Sequence, residues 1–274
     1  MVTPRSCSVA AALAIGFLLL PRGEARAGGE PADRFRAHGV EGAFVLLDTE
    51  TGKLTLLHDR VARRRYIPQS TFKIANTLIG LETGVIPDEH FSLRWDGVQR
   101  EVPDWNRDQD LASAMKFSVV WFYQEVARRI GKERMTAWVK KLGYGNRTIA
   151  GGAIDRFWLD GPLRISPVEQ VDFLRRLCAG NLPVEREHAD LVLRLIELER
   201  GPNWVLRGKT GLGRDHDRAI GWLVGVVERD GRRSIYATVM FGESTDQLKP
   251  LRRPITEELL RQYGVLPPAS PRSP

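Results

Sequence analysis

Ser70-Thr71-Phe72-Lys73-Ile74-Ala75-Asn76-Thr77-Leu78-Ile79-Gly80-Leu81-Glu82 is the stretch from which the rest of this chain is read. Its apolar residues, Phe72, Ile74, Ala75, Leu78, Ile79 and Leu81, fall nearly all round a helical wheel. That pattern predicts a helix buried in the middle of a protein rather than one lying on its surface. Gly84 stands where such a helix stops. At its start, Ser70 and Lys73 are three positions apart, so both side chains project from one face and can meet. A serine hydroxyl is a poor nucleophile until a base takes its proton, and a lysine kept neutral can be that base without any histidine. Ser and Lys are common residues, so the weight of the pair depends on what the rest of the chain supplies.

Outward from this helix, residues 42–48 form an apolar run, residues 49–52 a turn, and residues 53–58 alternate, which predicts a β-hairpin. Helical patterns fill the middle of the chain, at 119–130, 132–142, 167–179 and 185–199. Ser166-Pro167 supplies a cap and a first-turn proline for the third of these. The last third returns to strands at 204–210, 219–229 and 232–241, the latter two joined by an Asp230-Gly231 turn, and closes with a helix at 256–263. Strands, helices, strands and a final helix define an α/β chain of the α+β kind. Its antiparallel sheet is made of N- and C-terminal strands flanked by helices, with a helical lobe inserted between them. No internal repeat is evident.

The N-terminus reads as an export signal. Arg5 precedes an apolar run at 9–20, and Ala25-Arg26-Ala27 offers a small-x-small cleavage site. The run is shorter than the roughly 20 residues that span a bilayer, so cleavage is favoured over a membrane anchor. Residues 1–27 are thus the expected signal peptide, 28–266 the folded domain and 267–274 a disordered tail. Export to the periplasm follows, with no membrane attachment of the mature protein. Loss of the leader lowers the net charge from +7 to about +5. The basic residues are scattered and paired with acids, which excludes nucleic-acid binding and leaves a mild bias towards anionic small molecules. Only Cys178 remains in the mature chain, so no internal disulfide can form. The histidines (38, 58, 90, 188 and 216) fall in no metal-ligand spacing, and no metal is expected. No feature of the sequence specifies an oligomeric state.

Two further motifs carry chemistry. Lys209-Thr210-Gly211 ends a predicted strand and places a cation, a hydroxyl and an unhindered backbone along one edge, where an extended acyl substrate could pair. Taken alone, a surface lysine before a glycine turn explains it as well. Ser118-Val119-Val120 opens a helical segment, and Ser118 by itself reads as an N-cap. If it faced the Ser70–Lys73 pair, its hydroxyl could relay a proton to a leaving group.

In combination the order Ser-x-x-Lys, Ser-x-Val, Lys-Thr-Gly at 70, 118 and 209 resembles the serine β-lactamases and penicillin-binding proteins. The particular resemblance is to the class D, oxacillinase-type β-lactamases. It covers most of the mature chain and includes residues 70–86, Trp95-Asp96-Gly97, Trp105-Asn106, Tyr144-Gly145-Asn146 and Phe157-Trp158-Leu159. The resemblance implies the transpeptidase-like fold and hydrolysis of β-lactams. It makes Ser70 the acylated nucleophile and Lys73 a lysine carboxylated by CO2 or bicarbonate to N6-carboxylysine, the general base. Ser118 becomes the proton relay, and Val120, Trp158 and Leu159 the walls of the carbamate pocket. Lys209, Thr210, Gly211 and Arg252 surround the substrate carboxylate, and the backbone N–H groups of Ser70 and Leu212 form the oxyanion hole.

These implied roles agree with elementary chemistry. A lysine in water has a pKa of about 10.4, and burial favours the free amine that attacks CO2. Read without the family, Trp158 is a core tryptophan, Arg252 is indistinguishable from its neighbour Arg253, and Tyr144-Gly145-Asn146 is a turn. Asp160 is an alternative carboxylate base for water. Gln69 stands where many relatives carry a small residue and Leu212 where many carry an aromatic, and both departures bear on substrate preference. A penicillin-sensing domain or a DD-peptidase uses the same motifs, but each is expected to come with a membrane attachment. The only long apolar run in this sequence is the leader.

Overall fold

Alternation along the strands is what builds the sheet, and covering both of its faces is what makes those strands look uniformly apolar. The computed structural model describes residues 33–269, so the expected signal peptide and all but the first three residues of the expected tail lie outside them. A short helix α1 (Arg34–Ala37) leads into β1 (Glu41–Asp48), which pairs antiparallel with β2 (Leu54–Leu57) as the expected hairpin. Helix α2 (Asp59–Arg63) and a 3-10 turn, Gln69–Phe72, precede α3 (Lys73–Glu82). A two-strand ladder, β3 (Ser92–Leu93) with β4 (Gln109–Asp110), comes next. The helical layer follows: α4 (Leu111–Lys116), α5 (Val120–Ile130), α6 (Lys132–Lys141), α7 (Pro167–Cys178) and α8 (Arg186–Leu195). The chain returns to the sheet with β5 (Glu197–Arg200), β6 (Trp204–Asp215), β7 (Arg218–Arg229) and β8 (Arg232–Gly242), and ends in α9 (Thr245–Gln262).

The main sheet runs β2-β1-β8-β7-β6-β5, antiparallel throughout. N- and C-terminal strands meet as expected, from Glu41 opposite Phe241 to Asp48 opposite Ser234. Successive side chains point to opposite faces. Ala43, Val45, Ile220, Trp222, Val224, Ala237 and Val239 pack with the helical layer. Phe44, Leu46, Leu223, Tyr236 and Met240 pack instead with Leu248, Ile255, Leu259 and Leu260 of α9. Helix α3 lies inside the lobe, buried from Lys73 to Leu81, as its all-round apolar pattern requires.

Four local expectations need correction. Ser70 sits in the 3-10 turn rather than in the α-helix, which begins at Lys73. Side chains at i and i+3 eclipse in a 3-10 turn, so the pair meets more directly than on an α-helical face. Ser118 does not cap α5. It has φ 57°, and the cap position belongs to Val119, which makes no side-chain cap bond. The helix expected at 185–199 ends at Leu195, because 197–200 pairs with β6 as an edge strand. The final helix starts eleven residues early, at Thr245, and runs through Pro250 and Pro254. Those prolines hide it in the sequence, since each removes an intrahelical N–H. Its apolar face on the sheet and the Ser244 cap, whose hydroxyl accepts from the Gln247 N–H, hold it together.

Candidate active site

The 3-10 turn at Gln69–Phe72 is the centre of the site, and its surroundings fix it on every side. Phe72 packs edge-on against Tyr144 and Phe157, with centroids 5.4 and 5.1 Å away, and stacks at 29° on Trp158. Each such pair adds about 0.5–1.5 kcal/mol beyond burial. Thr71 accepts from Gln170 of α7, the Trp222 indole of β7 donates to the Ile67 carbonyl, and the Gln69 N–H donates to the Trp158 carbonyl. The nucleophile turn is therefore tied to the sheet, to α7 and to the loop at 157–160.

On this turn Lys73 Nζ lies 2.7 Å from Ser70 Oγ, and Lys73 is completely buried. Burial pushes its amine well below the ordinary lysine range, and the nearby Lys209 charge pushes the same way. The Tyr123 ring walls the amine, its centroid 5.4 Å from Nζ. Trp158 is fully buried as well, and its Nε1–H has no hydrogen-bond partner among the described residues. An unpaired buried donor costs about 1–3 kcal/mol, so a group placed to accept from this indole would be stabilised. Val120, the first residue of α5, and Leu159 are half-buried.

Ser118 comes to the same place from the loop between α4 and α5. Lys209 Nζ donates to Ser118 Oγ at 3.0 Å and to the Thr210 carbonyl at 3.1 Å. Burial, assisted by the Arg252 charge, brings the Lys209 amine down to about 7. Strand β5 pairs with β6 only as far as Arg207, so among the described residues no strand pairs with Lys209, Thr210, Gly211 and Leu212 on that side. A cleft of about 580 Å³ lies beside this open edge, lined by Lys209, Thr210, Gly208, Met115 and Leu195 among others. It reaches the strand edge but does not include Ser70.

Arg252 and Arg253, equivalent in sequence, are separated by the fold. Arg253 is exposed and pairs with Glu199 and Glu257. Arg252 is half-buried and donates only to backbone carbonyls, to Gly211 at 3.1 Å and to Lys249 at 3.3 Å. Among the described residues no carboxylate pairs with it, and burial lowers its pKa to about 10. A guanidinium beside the open edge with no anion is a place for one. Asp160, by contrast, is exposed and bound to Arg156.

The turn at Tyr144-Gly145-Asn146 supports the site from behind. Gly145 has φ 53°, and a side chain there would run into the Arg164 carbonyl. Asn146 accepts from the Arg164 N–H and donates to the Pro162 carbonyl. One support carries no sequence signal of its own, Tyr123 against Lys73; a second, the Trp105 indole donating to the Phe117 carbonyl next to Ser118, falls in a stretch the family resemblance includes but to which it gave no role. Among the described residues no group of three or more His, Cys, Asp or Glu could share a metal ion.

A serine beside a buried amine, a second hydroxyl–lysine pair, an open strand edge and a guanidinium without a carboxylate partner among the described residues equip a site for acyl transfer, on a sheet with an inserted helical lobe. The family described as the penicillin binding protein transpeptidase domain matches residues 42–261. The "Probable beta-lactamase YbxI" of Bacillus subtilis (strain 168) is 40% identical over 227 residues, 83% of this chain and 82% of the relative. Beta-lactamase OXA-48 of Klebsiella pneumoniae is 40% identical over 85% of this chain and 87% of its own. The crystal structure of the class D β-lactamase YbXI from Nostoc superposes with a TM-score of 0.82 at 40% identity, covering 85% of this chain and 98% of that one. This chain belongs to the class D β-lactamases.

Proposed function

We propose that this chain hydrolyses the β-lactam ring of penicillin-type antibiotics through an acyl-enzyme at Ser70, and so gives resistance to them. The observation that carries the reading is the pairing of Ser70 Oγ with the buried Lys73 amine at 2.7 Å. Lys73, whose burial favours the free amine, fits carboxylation by CO2, and the Trp158 Nε1–H, unpartnered among the described residues, fits the oxygen this modification brings. Once carboxylated, Lys73 supplies an anionic oxygen base for the serine proton and later for that of a water. Val120, Leu159 and Tyr123 keep bulk water from the pocket. Ser118, hydrogen-bonded to Lys209, hands a proton to the departing lactam nitrogen. Arg252 and Thr210 orient the substrate carboxylate along the strand edge, and the backbone N–H groups of Ser70 and Leu212 receive the negative charge that develops on the carbonyl oxygen.

The reading includes export, with cleavage near Ala27 and a mature domain from about residue 28 to 266, supported by the apolar run at 9–20 and the Ala25-Arg26-Ala27 pattern. No helix of the described residues is long and apolar enough to cross a membrane. The test is hydrolysis of a chromogenic cephalosporin by protein depleted of CO2 and then supplied with bicarbonate. Turnover by a Lys73→Ala variant equal to that of the unaltered protein would sink the base assignment. A stable Ser70 adduct without turnover would indicate a penicillin sensor instead.

A further inference from the structure

Gln69, the residue before the nucleophile, is tied to its surroundings more heavily than its position requires. It is only 4% exposed, and its backbone is in the left-handed region at φ 52°. A non-glycine residue held there costs about 1–3 kcal/mol and persists only where the surroundings over-determine it. They do so through three hydrogen bonds. The Gln69 N–H donates to the Trp158 carbonyl at 3.0 Å, and the side-chain Nε2 donates to the Leu159 carbonyl at 2.8 Å and to the Arg214 carbonyl at 3.2 Å. Gly213 completes the fit, because a Cβ there would come within 2.5 Å of the Gln69 Nε2 and Oε1. The glutamine amide occupies the space in which any side chain at 213 would begin.

These contacts join three parts of the site. The peptide between Gln69 and Ser70 carries the Ser70 N–H, so the Gln69 backbone sets its direction. Arg214 lies two residues beyond Leu212 on β6, and Leu159 follows the buried indole of Trp158. We propose that Gln69 is a positioning residue: its side-chain amide straps β6 and the loop at 157–160 to the nucleophile turn, and so fixes the spacing of the Ser70 and Leu212 N–H groups. Gly213 is its steric counterpart. The proposal rests on the hydrolase reading above and adds to it the residue that holds the oxyanion site in register. Donors preorganised where charge develops act in both the formation and the breakdown of the acyl-enzyme. Loss of the strap therefore slows both steps by a similar factor.

The test is a cycle of Gln69→Ala, Gly213→Ala and the double variant, with Gln69→Met alongside, which keeps the length and loses the amide and with it both side-chain hydrogen bonds. Rate constants for acylation and deacylation by a penicillin are measured by stopped flow and normalised to the sites that an acylating β-lactam labels. The expected result is a fall of about tenfold in both rates for each single variant and for Gln69→Met, which corresponds to about 1.4 kcal/mol. The double variant is expected to match Gln69→Ala alone, since an alanine at 213 then displaces nothing. A merely structural role lowers the melting temperature or the labelled fraction but leaves rates per labelled site within twofold of the unaltered protein, and that result overturns the proposal. Fully multiplicative effects in the double variant overturn it too. If the unaltered protein acylates but does not deacylate, the hydrolase reading fails alone, because the acylation rate still reports on Gln69. If Ser70 is never acylated, both fail.

Discussion

Lys209 Nζ lies 3.0 Å from Ser118 Oγ, joining a strand of the sheet to a loop of the helical layer across 91 positions of sequence. Ser118 is held there in the left-handed region at φ 57°, and the Trp105 indole fixes the carbonyl of the residue before it. Such strain aims the hydroxyl into the site instead of along the helix that follows. If Ser118 carries the proton to the leaving group, Ser118→Ala lowers the acylation rate by about 10²–10⁴-fold, the usual range for a lost acid–base group. Single-turnover kinetics reads this directly, and an acylation rate unchanged by the substitution removes the relay.

If Lys73 is carboxylated by CO2, activity depends on pH and on bicarbonate together. CO2 reacts only with the unprotonated amine, and burial lowers the Lys73 pKa, so the neutral form persists to a lower pH than for an exposed lysine. Below the folded-state pKa the neutral fraction drops about tenfold per pH unit. The acid limb of kcat should therefore recover on addition of bicarbonate by a larger factor than activity on the neutral side does. An acid limb insensitive to bicarbonate would argue for direct catalysis by the amine.

The buried lysines also give stability a definite pH slope. Lys209, brought down to about 7, binds its proton less readily in the folded than in the unfolded chain. Between about pH 7 and the ordinary lysine value near 10.4 the unfolded state holds more protons, so stability rises with pH in that window. Below about 7 both states are protonated and the contribution is flat. Thermal midpoints between pH 7 and 9 should climb in the unaltered protein and climb less in Lys209→Met. Equal slopes would mean that Lys209 is not the group responsible.

Trp158→Phe should separate stability from activity. It keeps most of the ring packing against Phe72 and Phe157 and removes a buried N–H that has no partner. Relief of an unsatisfied donor offsets the smaller ring, so the CO2-depleted variant should melt within about 1 kcal/mol of the unaltered protein. Turnover should fall at least tenfold, with more bicarbonate needed for half-maximal rate. Normal bicarbonate dependence in this variant would show that the indole does not hold the carbamate.

Arg252→Ala should raise KM for carboxylate-bearing substrates about ten- to a hundredfold, as expected for a lost charged hydrogen bond worth about 1.5–3 kcal/mol. The protein itself should lose little stability, because Arg252 has no carboxylate partner among the described residues and its burial disfavours its charge. Steady-state kinetics with a penicillin and with its methyl ester checks this: an equal rise for both would place the carboxylate elsewhere.

Much of this architecture could be read locally. The hairpin from β1 to β2, the buried helix after Lys73 and the paired strands β7 and β8 follow from periodicity and turn residues, which depend only on neighbours in the chain. Where the reading missed, tertiary contacts had overridden local preference. Prolines 250 and 254 argue against a helix, yet one side of α9 is buried on the sheet and the helix runs through both. Residues 197–200 continue a helical pattern, yet β6 offers them a strand edge. Gln69 was legible only as a departure from the family; its three hydrogen bonds reach residues about 90 and 145 positions away.

The sequence by itself determined the kinds of groups available and their order: a hydroxyl one turn from an amine, a second serine, a lysine on a strand edge and the alternation that builds the sheet. Which of these meet, and in which protonation state, only the tertiary structure decided. Arg252 and Arg253 are adjacent and chemically alike, yet one lies beside an open strand edge with no carboxylate partner among the described residues and the other sits in an exposed ion-pair network. Lys73 is an ordinary lysine until packing removes water from around it. Periodicity is fixed by bonds between near neighbours, whereas desolvation and long-range distance depend on the whole packed chain.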